Sequence, residues 1–238
     1  MPMTTADGLR PSGSSTPAGL RASGSSAVQR RAFNDYVTRF WSLAAKAYDW
    51  GPLQQWVYSP PQDEMINQLR EHGSRQIVDI ACGTGILASR IADQLAPEKV
   101  YGVDMSEGML AQAKARSGRV EWLTAPAEHL PFDDGALDAV LSTSAFHFFD
   151  QPAALAEFHR VLAPSGFAAV ATLSPSQRRL PGLHNLLLNR VPANMPTPVE
   201  MRALFEGAGF DVALQRPVNR PVTPPFITVD WITVGIKR

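Results

Sequence analysis

Short apolar segments alternate with amphipathic segments between residues 76 and 173, and this alternation restricts the fold more than any other feature of the chain. Strands that are apolar on both faces are typical of a parallel sheet covered by helices on both sides. Between them, residues 84–95 and 151–162 repeat apolar side chains at helical spacing. The predicted strands are QIVDIA (76–81), KVYGVD (99–104), RVEWLTA (119–125), LDAVLST (137–143) and GFAAVATL (166–173). The pattern predicts an α/β fold.

The C-terminal part of the chain changes this rhythm. Proline interrupts residues 174–200 repeatedly, which indicates a variable lid segment rather than another strand–helix unit. After a predicted helix at 198–207, two extended segments at about 210–216 and 226–236 are separated by a proline-rich turn. We expect them to form an antiparallel pair that closes the parallel sheet.

The N-terminal part is predicted to contain two further units. Residues 1–27 are rich in Ser, Gly and Pro and poor in apolar residues, so they are predicted to be a disordered tail. Residues 28–74 carry many large aromatic side chains and are predicted to form a helical cap. The main domain is then expected to span residues 75–238.

Charge and cysteine content exclude several classes of protein. Lys+Arg and Asp+Glu are both 22, so the net charge is zero, which argues against general nucleic-acid binding. The single cysteine, Cys82, excludes an internal disulfide and a cysteine-rich metal site. No run approaches the ~18 apolar residues of a membrane span. We therefore expect a cytoplasmic monomer or homodimer that acts on a small molecule without a metal.

The loop after the first predicted strand carries the clearest functional signal. Gly83, Gly85 and Ala88 satisfy the pattern G-x-G-x-x-G/A between a strand and a helix. Asp104 follows Gly85 by 19 residues, at the end of the second strand, where a carboxylate can accept both hydroxyls of a ribose. A tight turn with a capping aspartate is the structural alternative. The order of strand, glycines, helix, strand and acid favours a nucleotide-like ligand.

Asp79 separates two ligand classes that this pattern fits, dinucleotides and S-adenosylmethionine (SAM). It lies inside the first strand, four residues before Gly83. A carboxylate there would repel the pyrophosphate of a dinucleotide but attract the ammonium of the amino-acid end of SAM. The residues therefore favour SAM.

With these motifs, the chain over about 75–175 resembles the class I SAM-dependent methyltransferases, whose sheet is Rossmann-like. Its small-molecule group includes quinone-type C-methyltransferases. The family motif acid–x–Gly–x–Gly–x–Gly corresponds to Asp79, Ala81, Gly83 and Gly85, with Ala81 replacing the first glycine. The resemblance implies that these residues cradle the methionine end of SAM, and that S-adenosyl-L-homocysteine is the product.

The resemblance also assigns the rest of the cofactor site. It implies that Asp104 holds the ribose and that Met105 packs on the adenine. Ala127 and Glu128 match the loop that meets the adenine edge, and Ser142 lies in the matching part of the fourth strand.

Candidates for the acceptor side are fewer. His147 follows the fourth strand at the ligand-bearing edge and could act as a general base, although packing among neighbouring phenylalanines is the alternative. Tyr48 and Trp50 could form an aromatic lid over the ligands, or could simply cover the sheet. A lid would indicate an apolar or aromatic acceptor.

Three functions remain open from the sequence. The first is a SAM-dependent methyltransferase acting on O, N or C of a small acceptor. The second is an NAD(P)-dependent oxidoreductase, against which Asp79 and the predicted C-terminal strand pair argue. The third is a SAM-binding subunit without catalytic activity.

Overall fold

The structure is a computed structural model, and it describes residues 58–173, 194–219 and 230–238. The predicted tail at 1–27 and the lid candidates Tyr48 and Trp50 lie outside the described residues, as does most of the segment 174–200.

Within the described residues, seven strands form one sheet in the order β3-β2-β1-β4-β5-β7-β6. The first five strands are mutually parallel, and β7 is antiparallel to both β5 and β6. This confirms the predicted parallel sheet and its antiparallel closing pair. The strands are β1 (Gln76–Ile80), β2 (Lys99–Asp104), β3 (Glu121–Thr124), β4 (Leu137–Thr143), β5 (Leu162–Leu173), β6 (Phe210–Pro217) and β7 (Asp230–Lys237).

Helices lie between consecutive parallel strands except β3 and β4, which a loop joins, and the helix ends follow from local sequence. Gly73 ends the first helix in the left-handed conformation, with its N–H donating to Leu69 O at 3.0 Å. Ser106 caps the third helix by accepting from the N–H of Met109 at 3.2 Å, as its position predicts. The helices are α1 (Ser59–His72), α2 (Ile86–Gln94), α3 (Glu107–Arg116), α4 (Gln151–Val161) and α5 (Pro198–Gly207), with a 3₁₀ helix at Phe146–Phe148.

Each face of the sheet is covered by its own apolar core. On one face, α1 and α2 pack through side chains such as Met65 and Ile91. On the other face, α4 and α5 pack through side chains such as Phe158 and Phe205. Burial of both faces explains why the strands read as continuous apolar runs rather than as alternating ones.

Two strand predictions were wrong in detail. β3 is shorter than the predicted 119–125. β5 starts at Leu162, before the predicted start at residue 166, because Leu162 pairs with Leu137. The next pairing joins Phe167 to Ala139, so the intervening residues bulge from the sheet.

The order of strands reverses between β1 and β4, which are neighbours although β2 and β3 intervene in sequence. In open parallel sheets, ligands bind beyond the carboxyl ends of the strands at such a switch point. The glycine-containing loop after β1 lies at this position. None of the described helices is long and apolar enough to cross a membrane.

Candidate functional site

The loop of residues 81–85, here called the glycine loop, has an unusual backbone. Ala81, Gly83 and Gly85 all have positive φ, at 54°, 56° and 76°. Glycine adopts this left-handed conformation freely, but for an alanine it costs ~1–2 kcal/mol. Ala81 replaces the first glycine of the motif. It therefore keeps the left-handed backbone conformation of that glycine, but it does so with local strain.

Backbone and side-chain hydrogen bonds hold the glycine loop in this strained form. The Cys82 N–H donates to Val103 O at 3.0 Å, which joins the loop to β2. The Gly85 N–H donates to Cys82 O at 3.0 Å, and the Gly83 N–H donates to Asp104 Oδ2 at 2.9 Å. Strained residues persist only where the surroundings fix them in this way.

Asp79 is a carboxyl group buried beneath this loop, with 1% of its surface exposed. Burial, and then the nearby charge of Asp104, raises its pKa to about 8, although a hydrogen bond from the Ala88 N–H favours the charged form. Its Oδ1 atom has no hydrogen-bond partner among the described residues. An unpaired carboxylate oxygen is costly to bury, so it fits a bound cationic group such as an ammonium.

Asp104 lies on the same face of the neighbouring strand, because Asp79 pairs with Gly102 in the sheet. Its Oδ1 accepts from the Ser106 N–H at 2.8 Å while Oδ2 accepts from Gly83. Burial raises its pKa, and these backbone hydrogen bonds oppose the rise. Each oxygen retains a further lone pair, so the carboxylate can still accept ribose hydroxyls.

Met105 follows Asp104 and is 40% exposed, an unusual exposure for a large apolar side chain here. It offers an apolar surface next to Asp104, as an adenine-packing residue should.

Ala127 and Glu128 lie in the connection after β3. Ala127 is buried, and Glu128 is half-buried with its Oε1 accepting from the Asp150 N–H at 2.8 Å. This hydrogen bond connects the loop to the start of α4. Glu128 therefore has a structural partner, and its second carboxylate oxygen is the one available to a ligand.

A second group of buried polar atoms lies on the opposite face of the sheet. Ser142 of β4 and Thr172 of β5 share the side of the sheet that α4 and α5 cover, since their neighbours Val140 and Val170 belong to that core. Both hydroxyl oxygens are buried without a hydrogen-bond partner in the described part of the chain. The resemblance assigned Ser142 to the cofactor site. In the structure, its side chain lies on the face of the sheet opposite to that of Asp79 and Asp104.

His147 lies close to this second group, in the 3₁₀ helix that packs against β5. The Ser144 N–H donates to Ala171 O at 2.8 Å, which fixes the start of this connection beside Thr172. The imidazole packs on Phe148, with ring centroids 4.1 Å apart, and its Nδ1 has no partner among the described atoms. Desolvation lowers its pKa to about 4, so the ring is neutral at physiological pH.

Cys82 lies in the glycine loop but is not placed for nucleophilic chemistry. Burial, together with the charges of Asp79 and Asp104, raises the pKa of the thiol well above its usual value. A reactive cysteine requires the opposite shift. Within residues 58–173, 194–219 and 230–238, no group of three or more histidine, cysteine or carboxylate side chains could hold a metal ion.

The structure thus brings Asp79, Asp104 and the glycine loop together, and it places His147 in a 3₁₀ helix that packs against β5, the strand that carries Thr172. Sequence reasoning missed Thr172, because an unpaired buried hydroxyl has no signature in sequence. It also missed Gly102, although a glycine inside a strand signals close approach of another group.

Comparison with known proteins gives consistent matches. Residues 78–170 match the model of a methyltransferase domain family. A demethylmenaquinone methyltransferase of Thermus thermophilus is 35% identical over 169 residues, covering 60% of this chain and 77% of the relative. A malonyl-[acyl-carrier protein] O-methyltransferase of Geobacter sulfurreducens is 37% identical over 147 residues, which is 57% of this chain and 55% of that protein.

Solved structures agree on the fold. A methyltransferase from Haloferax volcanii, solved in complex with the activator Trm112, superposes with a TM-score of 0.67. The match covers 82% of this chain and 96% of that chain at 20% sequence identity, and therefore concerns the fold alone.

Proposed function

We propose that this chain, which belongs to the class I SAM-dependent methyltransferases, transfers a methyl group to a small apolar or aromatic acceptor. The observation that supports this most is Asp79, whose buried carboxylate oxygen Oδ1 has no partner in the described part of the chain and lies behind the glycine loop on the same face as Asp104. Two carboxylates in this arrangement suit a ligand with an ammonium at one end and a ribose at the other.

The proposed cofactor contacts follow from this arrangement. Asp79 would attract the ammonium, and the left-handed backbone of the glycine loop would pack against the methionine part of SAM. Asp104 would accept the ribose hydroxyls, and the exposed Met105 would cover the adenine. Ala127 and Glu128 would line the adenine edge.

The chemistry requires little of the protein beyond alignment. Bound SAM supplies a methyl group on a positively charged sulfur, which is already activated for transfer. The residues around it must orient the acceptor in line and exclude water. A general base is needed only where the acceptor has to lose a proton.

The acceptor is proposed to bind at the carboxyl ends of β4 and β5, where Ser142, His147 and Thr172 have buried polar atoms without a partner among the described residues. Buried polar atoms normally have partners, so these three are suited to hydrogen-bond a polar group of the acceptor. The phenyl ring of Phe148 packs on His147 and suits an apolar or aromatic body. The relative from Thermus thermophilus, named for its action on demethylmenaquinone, supports an acceptor of this kind.

His147 is proposed as the group that receives the acceptor proton or its hydrogen bond. The neutral ring offers a lone pair, but a pKa of about 4 makes it a weak base. Orientation of an acceptor hydroxyl, followed by partial proton transfer, is therefore a more suitable role than complete deprotonation before the reaction.

Cofactor binding is tested by calorimetry with SAM and S-adenosylhomocysteine, using the variants Asp104→Ala and Asp138→Ala. Asp138 is the matched control, because its carboxylate also accepts two backbone N–H groups, of Arg75 and Gln76 at 2.8 Å, but at the opposite edge of the sheet. We expect Asp104→Ala alone to weaken SAM binding by ~1–3 kcal/mol.

Absence of binding to either compound by the native protein would contradict the proposed function. Equal affinities of SAM for the two variants would contradict the ribose assignment. Binding of SAM without methyl transfer to any acceptor in a cell extract supplied with isotopically labelled SAM would indicate a non-catalytic subunit instead.

The role of His147 is tested by His147→Ala, with His159→Ala as the control. His159 is also a histidine packed on a phenylalanine, Phe210, at 5.2 Å between ring centroids, but it lies outside the site. We expect His147→Ala to lower kcat with an unchanged Kd for SAM, and His159→Ala to retain kcat. In the native enzyme the acidic limb of kcat/KM should fall near pH 4, because the folded histidine protonates only there. Normal turnover of His147→Ala would assign this residue to packing.

We also propose that the enzyme acts in the cytoplasm as a monomer or homodimer. Light scattering on the purified full chain measures the oligomeric state, and a larger assembly would contradict this part of the proposal.

A further inference from the structure

Trp122 of β3 fills a space that two glycines leave open beneath the glycine loop. A Cβ added at Gly102 would lie 2.3 Å from Cζ3 and 2.4 Å from Cε3 of the indole. A Cβ added at Gly85 would lie 2.3 Å from Cη2 of the same ring. Since real side chains never approach this closely, the indole occupies the positions of both missing side chains.

The sheet register explains how an indole from β3 reaches the loop after β1. Asp79, Gly102 and Trp122 are paired in one row across the three parallel strands. Because Gly102 has no side chain, the indole can lie across β2 towards the loop on the face that carries the Asp79 carboxylate. Any larger residue at 102 would block this path.

Helix α3 and its C-terminal turn hold the indole and the loop from the same side. Trp122 Nε1–H donates to Ser117 O at 3.0 Å, which fixes the orientation of the ring. The Ala113 Cβ lies 2.9 Å from the position of a Cβ at Gly85, so the helix also touches the loop. Arg116 Nε–H donates to Thr84 O at 2.9 Å.

This support matters because the glycine loop is strained. Three left-handed residues alternate at 81, 83 and 85, and Ala81 is in that region at a steric cost. A loop with this backbone relaxes unless packing and hydrogen bonds fix it from outside. The hydrogen bonds described above fix its β2 side, and the indole is the large side chain that fills the space beneath it.

We propose that Trp122 is a positioning residue for SAM, acting through Gly102 and Gly85 to keep the glycine loop in its binding geometry. This inference rests on the proposed function. It assigns a positioning role to a β3 side chain that has no atom of its own in the cofactor contacts described above.

Two variants test the inference, Gly102→Ala and Trp122→Phe. The first forces the indole towards the loop, and the second removes the Nε1–H donor and part of the ring. We expect each to raise the calorimetric Kd for SAM about tenfold or more. In the protein without ligand, we also expect faster hydrogen exchange of the Gly83 and Gly85 amides.

Gly235→Ala is the matched control. Gly235 is also a strand glycine, and its added Cβ would lie 2.5 Å from Cδ1 of Phe205, but in the core on the other side of β5. We expect this variant to lower the melting temperature while its Kd for SAM stays within about twofold of the native value.

SAM binding by the native protein tests the proposed function, and SAM binding by the two variants tests the role of Trp122. If the native protein binds SAM and both Trp122→Phe and Gly102→Ala bind it equally well, Trp122 is only a packing residue and the inference is wrong. If Gly102→Ala does not fold, the Kd of Trp122→Phe for SAM decides by itself whether the inference is correct. If the native protein does not bind SAM, the proposed function fails first.

Discussion

At the scale of single residues, Asp79 affects both the stability of the folded protein and its proposed affinity for SAM. Its pKa in the folded protein is about 8, whereas the ordinary value is 3.8. Between these values the folded chain holds a proton that the unfolded chain has released. The contribution of Asp79 to stability is therefore fully present below about pH 4, and it is lost as pH rises through about 8.

We expect Asp79→Asn to remove this pH dependence in the protein without ligand. The variant should be close to the native protein in stability near pH 4 and increasingly more stable as pH rises to 8, since an amide imitates the protonated carboxyl. Urea unfolding at several pH values measures the difference. Parallel stability profiles of the two proteins between pH 5 and 8 would show that the carboxyl is not held protonated.

The same substitution should weaken SAM binding near neutral pH, because the ammonium of SAM can draw the native carboxyl into its ionised form, whereas an amide carries no charge to attract it. A residue that destabilises the ligand-free protein but favours the ligand is an expected property of a functional site. Because Asp79→Asn is expected to raise stability and to lower affinity for SAM, both quantities should be measured on the same variant.

At the scale of elements, one ion pair joins the start of the described chain to its closing strands. Glu64 of α1 and Arg216 of β6 form a bidentate pair, with Oε1–Nη1 and Oε2–Nη2 distances of 2.8 and 2.7 Å. Glu64 is buried, whereas Arg216 is partly exposed. The pair therefore fixes α1 against the antiparallel edge of the sheet.

We expect Arg216→Ala to destabilise the protein by ~2–4 kcal/mol, because it leaves a buried carboxylate without its partner. Arg238→Ala is the control, since Arg238 pairs with Asp211, which is also a β6 residue, but both side chains are exposed. That variant should change stability by less than ~1 kcal/mol. Chemical denaturation measures both, and equal effects would mean that burial of Glu64 has no influence.

At the scale of the whole molecule, the cofactor is expected to act as a stabiliser. A ligand that binds only the folded state at 100 times its Kd adds ~2.7 kcal/mol of stability. For a chain of 238 residues, this corresponds to a rise in melting temperature of about 5–10 °C. Differential scanning fluorimetry with SAM measures the shift, with NADH at the same concentration as the control. A shift with NADH and none with SAM would favour a dinucleotide site.

Several elements could be predicted from sequence because local chemistry determines them. The strands β2 and β4 and the helix α5 have the predicted bounds, and Gly73 and Ser106 end and begin helices as expected. The start of β5 could not be predicted, since it depends on Leu162 pairing with Leu137 of another strand. Turn residues indicate where a chain bends, but pairing decides where a strand begins.

The candidate site also combines features that the sequence predicts with features that it does not predict. The spacing of Asp79, the glycines and Asp104 along the chain predicted one pocket edge, since parallel strands bring their carboxyl ends together. The different face of Ser142, the unpaired hydroxyl of Thr172 and the indole of Trp122 beneath the loop were not predictable. Each depends on which strands are neighbours, and that order does not follow the order of the chain.

The sequence alone determined the α/β class and the family, and it led to the proposed contacts with SAM, because all three depend on spacing within short segments. Only the tertiary structure decided that Asp79 is held neutral, that His147 is desolvated and that Trp122 supports the loop. Burial and pairing across strands set the pKa of a side chain and the space around it, and both arise from residues distant in sequence.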